Sequence, residues 1–333
     1  MGTVLQEGRR RKRRGFRPLL AVAVLLAAVV AALVLLSGTA GDPPRHAASA
    51  RAAGDSTAPA PARGHQPAPP PYATLPAPAR ERVDIRFRIQ PRSGLLVDLR
   101  TGRVLWSDRP DRVLPIASVT KMMTALLVVT HVPPSGRVLI TRQALNFRGS
   151  AVGVLPLGRR IDVDTMLNGL LLPSGNDAAR ALALRVAGTL PDFVRLMNAK
   201  ARALRLRCTH FTSPDGFEDR GNHSCAADLA LLAREVLAQP RLARIVRRRK
   251  ALLPFPIRTG RLELFNNNPL LLSRYPGTDG VKTGFTDRAG RCLVAAAHRG
   301  ATRLVVVLLH SPDPGAQAMR LLDAGFRAAR RLR

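Results

Sequence analysis

Apolar residues in this chain fall into three regimes. Residues 19–36 are apolar without interruption. The middle of the chain repeats its apolar positions about every 3.6 residues, and both ends of the folded part carry short, nearly continuous apolar runs. The helical spacing predicts helices over 121–131, 163–171, 177–187, 191–206 and 226–238. Strands are expected at 95–99 and 104–106, joined by a turn at Thr101-Gly102, and again at 278–285, 292–298 and 304–310. Arg299-Gly300 reads as the hairpin turn between the last two strands. A closing amphipathic helix over about 315–330 would turn Met319, Leu322 and Phe326 inward. Strands at both ends of a helical middle, with a terminal helix to cover one sheet face, predict an α+β sandwich.

The 18-residue apolar run follows a basic stretch, RRRKRRGFR at 9–17. It approaches the ~20 residues of a membrane span and exceeds the ~7–15 of a usual signal-peptide core. The basic flank places the N-terminus in the cytoplasm and everything after residue 36 outside. Gly38-Thr39-Ala40 offers a cleavage site, so either a membrane anchor or a signal peptide fits. The chain therefore divides into a basic tail (1–18), the apolar segment (19–36), a Pro/Ala-rich spacer (37–82) and a folded domain (83–333). Proline in the spacer keeps it extended, and it cannot bury a core.

Net charge is +31, but only 4% of residues are aromatic. Seven basic residues precede Pro18, and the rest are spread without aromatic interleaving. A nucleic-acid interface is not expected; the charge fits work near an anionic envelope. The three cysteines, 208, 225 and 292, lack metal-ligand spacing, so no metal site is predicted. Cys208 and Cys225 are either a disulfide or two buried thiols, and Cys292 belongs in a strand core.

The chain holds five lysines against 48 arginines. Two of the five sit in short motifs: Ser118-Val119-Thr120-Lys121 and Lys282-Thr283-Gly284. Between them lies Ser174-Gly175-Asn176. A lysine kept where arginine is the habit marks a need for an amine able to give up a proton. Ser118 at the start of helix 121–131 would face Lys121 across one turn, as nucleophile and base. Ser174 supplies a hydroxyl for proton relay and Asn176 an amide for a substrate peptide group. Lys282 and Thr283 on a strand edge would grip a carboxylate, with Gly284 leaving room for substrate backbone.

The three motifs in this order are close to the set of penicillin-binding proteins and serine β-lactamases, with S-G-N in place of S-D-N. The stretches PIASVTKMMTALLVV, LLLPSGNDAARALA, HFTSPDGFEDRGNHS and DGVKTGFTDRAGRCLVAAA closely resemble the low-molecular-mass D-alanyl-D-alanine carboxypeptidases, a group of penicillin-binding proteins. The resemblance runs from about Ser93 to Phe326. It implies a transpeptidase/β-lactamase-like fold, with a five-stranded antiparallel sheet covered by helices beside an all-helical subdomain. It also implies removal of the terminal D-alanine from peptidoglycan stem peptides through an acyl-enzyme on Ser118, with β-lactams as covalent inhibitors and no cofactor. Lys121 would be the general base and Ser174 the relay. Asn176 would bind the substrate amide, and Lys282, Thr283 and Gly284 would form the carboxylate side. The backbone N–H groups of Ser118 and Phe285 would form the oxyanion hole.

Ser213-Pro214-Asp215-Gly216-Phe217 departs from the N-P-H-G-L common in relatives. Two other reactions use the same machinery: cleavage or formation of peptidoglycan cross-links, and β-lactam hydrolysis with Glu218 as the activating carboxylate. A non-enzymatic wall-binding module is the alternative from another class. His223 and His210 invite a Ser/His triad, but no G-x-S-x-G elbow accompanies them, and His223 is expected to be a loop histidine.

Overall fold

The computed structural model describes residues 82–217, 220–256 and 260–330, together with the backbone of Leu75–Pro76. Residues 19–36, the predicted anchor or signal, and Glu218 lie outside the described residues.

One sheet organises the domain. Its strands lie in the order Leu75–Pro76, Arg103–Asp108, Ser93–Asp98, Thr302–Leu309, Gly290–Arg299 and Thr278–Thr286. The last five pair antiparallel, as expected. The two-residue strand Leu75–Pro76, inside the stretch read as spacer, adds a parallel edge against Arg103 and Val104. Strand side chains alternate between faces, so one run of valines and leucines feeds two cores. Val305, Val307 and Leu309 join Leu95, Val97, Val294 and Ala296 under the helical part of the molecule. Leu304, Val306 and Leu308 join Leu96, Leu293 and Ala295 on the opposite face. Burial on both sides explains why these strands read as continuous apolar runs rather than as alternations.

The terminal helix Pro314–Arg330 covers that opposite face with Ala318, Leu321, Leu322 and Phe326. Met319, expected inward, lies at the margin, and Leu321, two residues further on, is buried instead. Burial of Phe326 alone stabilises the helix by about 2 kcal/mol.

On the other side pack the helices Lys121–His131, Val163–Leu171, Asn176–Ala187, Leu190–Ala203 and Ala226–Ala238, each within a few residues of its predicted bounds. Two antiparallel ribbons were not predicted: Arg137–Leu139 with Arg160–Asp162, and Lys250–Pro254 with Arg261–Phe265. Strands of three to five residues are too short to show a period. The first ribbon means that the helical subdomain is not wholly helical. Cys208 and Cys225 are joined by a disulfide, with Cα atoms 5.5 Å apart. Cys292 is buried in strand Gly290–Arg299, as expected.

Candidate active site

Ser118 is not in the first turn of the α-helix. It belongs to a 3-10 turn, Ala117–Thr120, and the α-helix starts at Lys121. The turn is entered through Ala117, whose φ of +48° puts a residue with a Cβ in the left-handed region. In a 3-10 turn, side chains at i and i+3 eclipse rather than lag, which brings Ser118 and Lys121 into register. Lys121 Nζ lies 2.7 Å from Ser118 Oγ.

Two distant elements hold this turn. The loop 213–217 docks on the helix: Thr124 Oγ1 donates to the Pro214 carbonyl at 2.7 Å and Asn222 Nδ2 to Thr120 Oγ1 at 2.7 Å. A methyl group on Gly216 would stand 2.2 Å from the Ala117 carbonyl oxygen, so only glycine fits there. Within the loop, the Asp215 carboxylate accepts from Ser213 Oγ and the Phe217 amide. Asp215 thus organises its own turn, whereas its main-chain carbonyl faces Lys121. From the other side, strand Thr278–Thr286 presses Gly284 against the same turn. A methyl there would meet Ile116 O at 2.8 Å and the amide nitrogens of Ser118 and Val119 at 3.1 Å. The glycine expected to admit substrate backbone is therefore required first by the protein's own backbone.

Lys121 is fully buried. Besides Ser118, its amine reaches Asn176 Oδ1 at 2.6 Å and the Asp215 carbonyl at 2.8 Å. Both are carbonyl oxygens that can only accept. A neutral amine has two N–H groups and one lone pair. In a neutral amine these two carbonyls would take both N–H groups, leaving the lone pair for the Ser118 hydroxyl 2.7 Å away. Asn176 was expected to hold a substrate amide. Its carbonyl is committed to Lys121 and one N–H to the Arg148 carbonyl, leaving a single N–H for any ligand.

Lys282 differs more from expectation. Alternation along its strand puts it on the side of Gly284, under the turn rather than in the open cleft. It is 1% exposed, and its amine donates to the Thr283 carbonyl at 2.8 Å. Burial, and then the charge of Lys121, hold its pKa well below the usual lysine range. The amine, expected to grip a carboxylate, thus lies beneath the cleft wall and is tied to the main chain. Ser174 has φ +70°, and its buried Oγ has no hydrogen-bond partner among the described residues.

A cleft of about 430 Å³ is lined by Ser118, Ser174, Thr283, Gly284, Phe285 and Arg291, among others. A larger cavity, about 720 Å³ between residues 82 and 110, contains none of the motifs. Cys292 borders the cleft too, but burial pushes its thiol up to about 11, which keeps it protonated and inert. His223 pairs through its backbone with His210, two 3.0 Å hydrogen bonds away from the cleft. The only group of potential metal ligands among the described residues is Asp111 with Cys208 and Cys225, whose sulfurs are spent in the disulfide.

A sequence model of the D-alanyl-D-alanine carboxypeptidase family matches residues 79–313. D-alanyl-D-alanine carboxypeptidase DacB2 of Mycobacterium tuberculosis is 36% identical over 240 residues, covering 70% of this chain and 81% of that protein. DacF of Bacillus subtilis is 34% identical over 243 residues, covering 71% of this chain but 62% of DacF, less than two thirds of its length. Among solved structures, a serine-to-alanine mutant of the Streptomyces K15 DD-transpeptidase aligns with a TM-score of 0.68 at 30% identity. That alignment covers 73% of this chain and 100% of the other. The D-alanyl-D-alanine carboxypeptidase of M. tuberculosis aligns with a TM-score of 0.67 at 34% identity, covering 73% and 94%.

Proposed function

Because the chain belongs to the D-alanyl-D-alanine carboxypeptidase family, we propose that it removes the terminal D-alanine from peptidoglycan stem peptides by acyl transfer through Ser118. The observation that carries this reading is the buried amine of Lys121, 2.7 Å from Ser118 Oγ and facing two carbonyl acceptors. A serine hydroxyl needs a base before it can attack a carbonyl. Lys121 takes the proton as Oγ bonds to the carbonyl carbon of the penultimate D-alanine. The backbone N–H groups of Ser118 and Phe285 receive the developing oxyanion. Ser174 passes the proton to the departing D-alanine amine, and its unpartnered hydroxyl suits that task. The remaining Asn176 N–H holds the peptide carbonyl upstream. Water then cleaves the acyl-enzyme.

The same chemistry accounts for acylation by β-lactams, whose strained amide presents a carbonyl to Ser118. Placement outside the cytoplasmic membrane is part of the proposal. The basic and apolar N-terminal run supports it, and so does a disulfide of the kind that persists in oxidising compartments. No helix among the described residues is long and apolar enough to cross a membrane.

The test is labelling of the full chain with fluorescent penicillin, alongside Ser118→Ala and Lys121→Ala, with mass mapping of the adduct. Acylation on Ser118 that both variants abolish is expected; label on another residue would sink the reading. Incubation with purified muropeptides separates the reactions: loss of one D-alanine is expected, whereas split or newly joined dimers would assign the site to cross-links.

A further inference from the structure

A peptidase that removes one terminal residue must recognise a free carboxylate. The two lysines of the motifs do not reach it, since both are buried and tied to protein acceptors. Among the described residues lining the cleft, one cation remains, Arg291. It sits on strand Gly290–Arg299 directly opposite Phe285. Cross-strand neighbours share a sheet face, and Thr283 lies two residues along that same face. Arg291 and the Thr283 side chain therefore stand on one wall of the cleft that also holds Ser118.

The guanidinium is oriented as well as near. Arg291 Nη1 donates to the Pro312 carbonyl at 2.9 Å, which fixes the plane of the fork and leaves Nε and Nη2 for another acceptor. Asp313, the acidic group on the cleft wall, is spent elsewhere: its carboxylate accepts from the Ala316 amide at the start of the terminal helix. No carboxylate among the described residues forms an ion pair with Arg291. A planar fork held at one corner and unpaired at the others is the geometry that binds a carboxylate.

We propose that Arg291, with the Thr283 hydroxyl beside it, reads the free terminal carboxylate of the substrate and selects chain ends over internal peptide bonds. This rests on the acyl-transfer reading of the same cleft. In a chain with 48 arginines, Arg291 carries no motif of its own. Strand register and the withdrawal of Lys282 are what single it out.

The experiment compares acylation of the full chain by penicillin G and by its methyl ester, which lacks the carboxylate. The wild type, Arg291→Gln and Arg291→Lys are each measured. Loss of a charge-assisted contact predicts about 10–100-fold slower acylation by penicillin G in Arg291→Gln. The methyl ester should change by less than about threefold, and Arg291→Lys should recover part of the loss, as charge without a fork. Equal losses on both compounds would reduce Arg291 to a prop for Pro312, and no loss on either would remove it from recognition; each result overturns the proposal. Failure of the wild type to be acylated by either compound would instead overturn the acyl-transfer reading beneath it, and that shows before any variant is compared.

Discussion

Replacing Gly284 with alanine tests the geometry of the site most directly. The added methyl would lie 2.8 Å from Ile116 O and 3.1 Å from the amide nitrogens of Ser118 and Val119. The first contact is about 0.6 Å inside the 3.4 Å at which ordinary contact begins. All three atoms are backbone, so no side chain can rotate aside. Either the strand retreats from the 3-10 turn or the turn moves, and both shift the Ser118 amide relative to Phe285. Overpacking of this kind costs about 1–3 kcal/mol, and in a domain of this size each kcal/mol lowers Tm by about 2–4 °C. The rate should suffer more than stability. A full oxyanion-hole donor is worth about 10²–10³ in rate and a 1 Å misplacement about 10², so a shift of half that size should slow acylation about tenfold or more. Time-resolved labelling with fluorescent penicillin gives the rate, and thermal unfolding gives the Tm. Gly158→Ala is the control. That glycine, unlike Gly284, has positive φ (+76°), and nothing lies within 4 Å of the added methyl. It should lose about 1 kcal/mol to backbone strain and acylate at the normal rate. Gly284→Ala acylating at the wild-type rate with an unchanged Tm would refute the close approach and the oxyanion role built on it.

Three further outcomes follow from the same contacts. Lys282 is depressed on folding, so between its folded value and the ordinary 10.5 the unfolded chain binds more protons than the native state. Stability should therefore rise with pH through that window. Lys282→Met should flatten the slope in unfolding measured across neutral to alkaline pH; an unchanged slope would assign it to another group. Asn176→Ala removes an acceptor 2.6 Å from a buried amine and should cost about 1–3 kcal/mol. Denaturant titration checks this, and wild-type acylation in that variant would show that Lys121 needs no such guide. Cys208→Ser with Cys225→Ser opens a ring with a sequence separation of 17. It should lower stability by about 3 kcal/mol, and equal unfolding midpoints for the variant and the oxidised wild type would contradict this.

What could be read along the chain was whatever depends on neighbours in sequence. Helices 121–131, 163–171 and 226–238 appear at their predicted bounds because long amphipathic faces declare their period. The doubly buried strands were legible as apolar runs bounded by turns. What escaped notice depends on approach from afar. The 3-10 turn around Ser118 is shaped by Gly216 and Gly284, roughly 100 and 166 positions away, and local spacing instead suggested an ordinary helix start. Lys282 looked like a surface grip because a strand position alone does not reveal which face is roofed. Asn176 was seen as one contact where the structure gives it two. Arg291 was invisible for the opposite reason: its residue type is abundant, and only the register with Phe285 gives it meaning.

The loop that offers the Asp215 carbonyl to Lys121 lies wholly between Cys208 and Cys225. The bridge therefore closes a covalent ring whose far side touches the Lys121 amine. Oxidation does more than toughen the domain in such an arrangement. It shortens the excursions open to that carbonyl, so closing the bond also narrows the positions open to the Lys121 amine. A chain with both cysteines reduced would carry the same residues on a slacker tether.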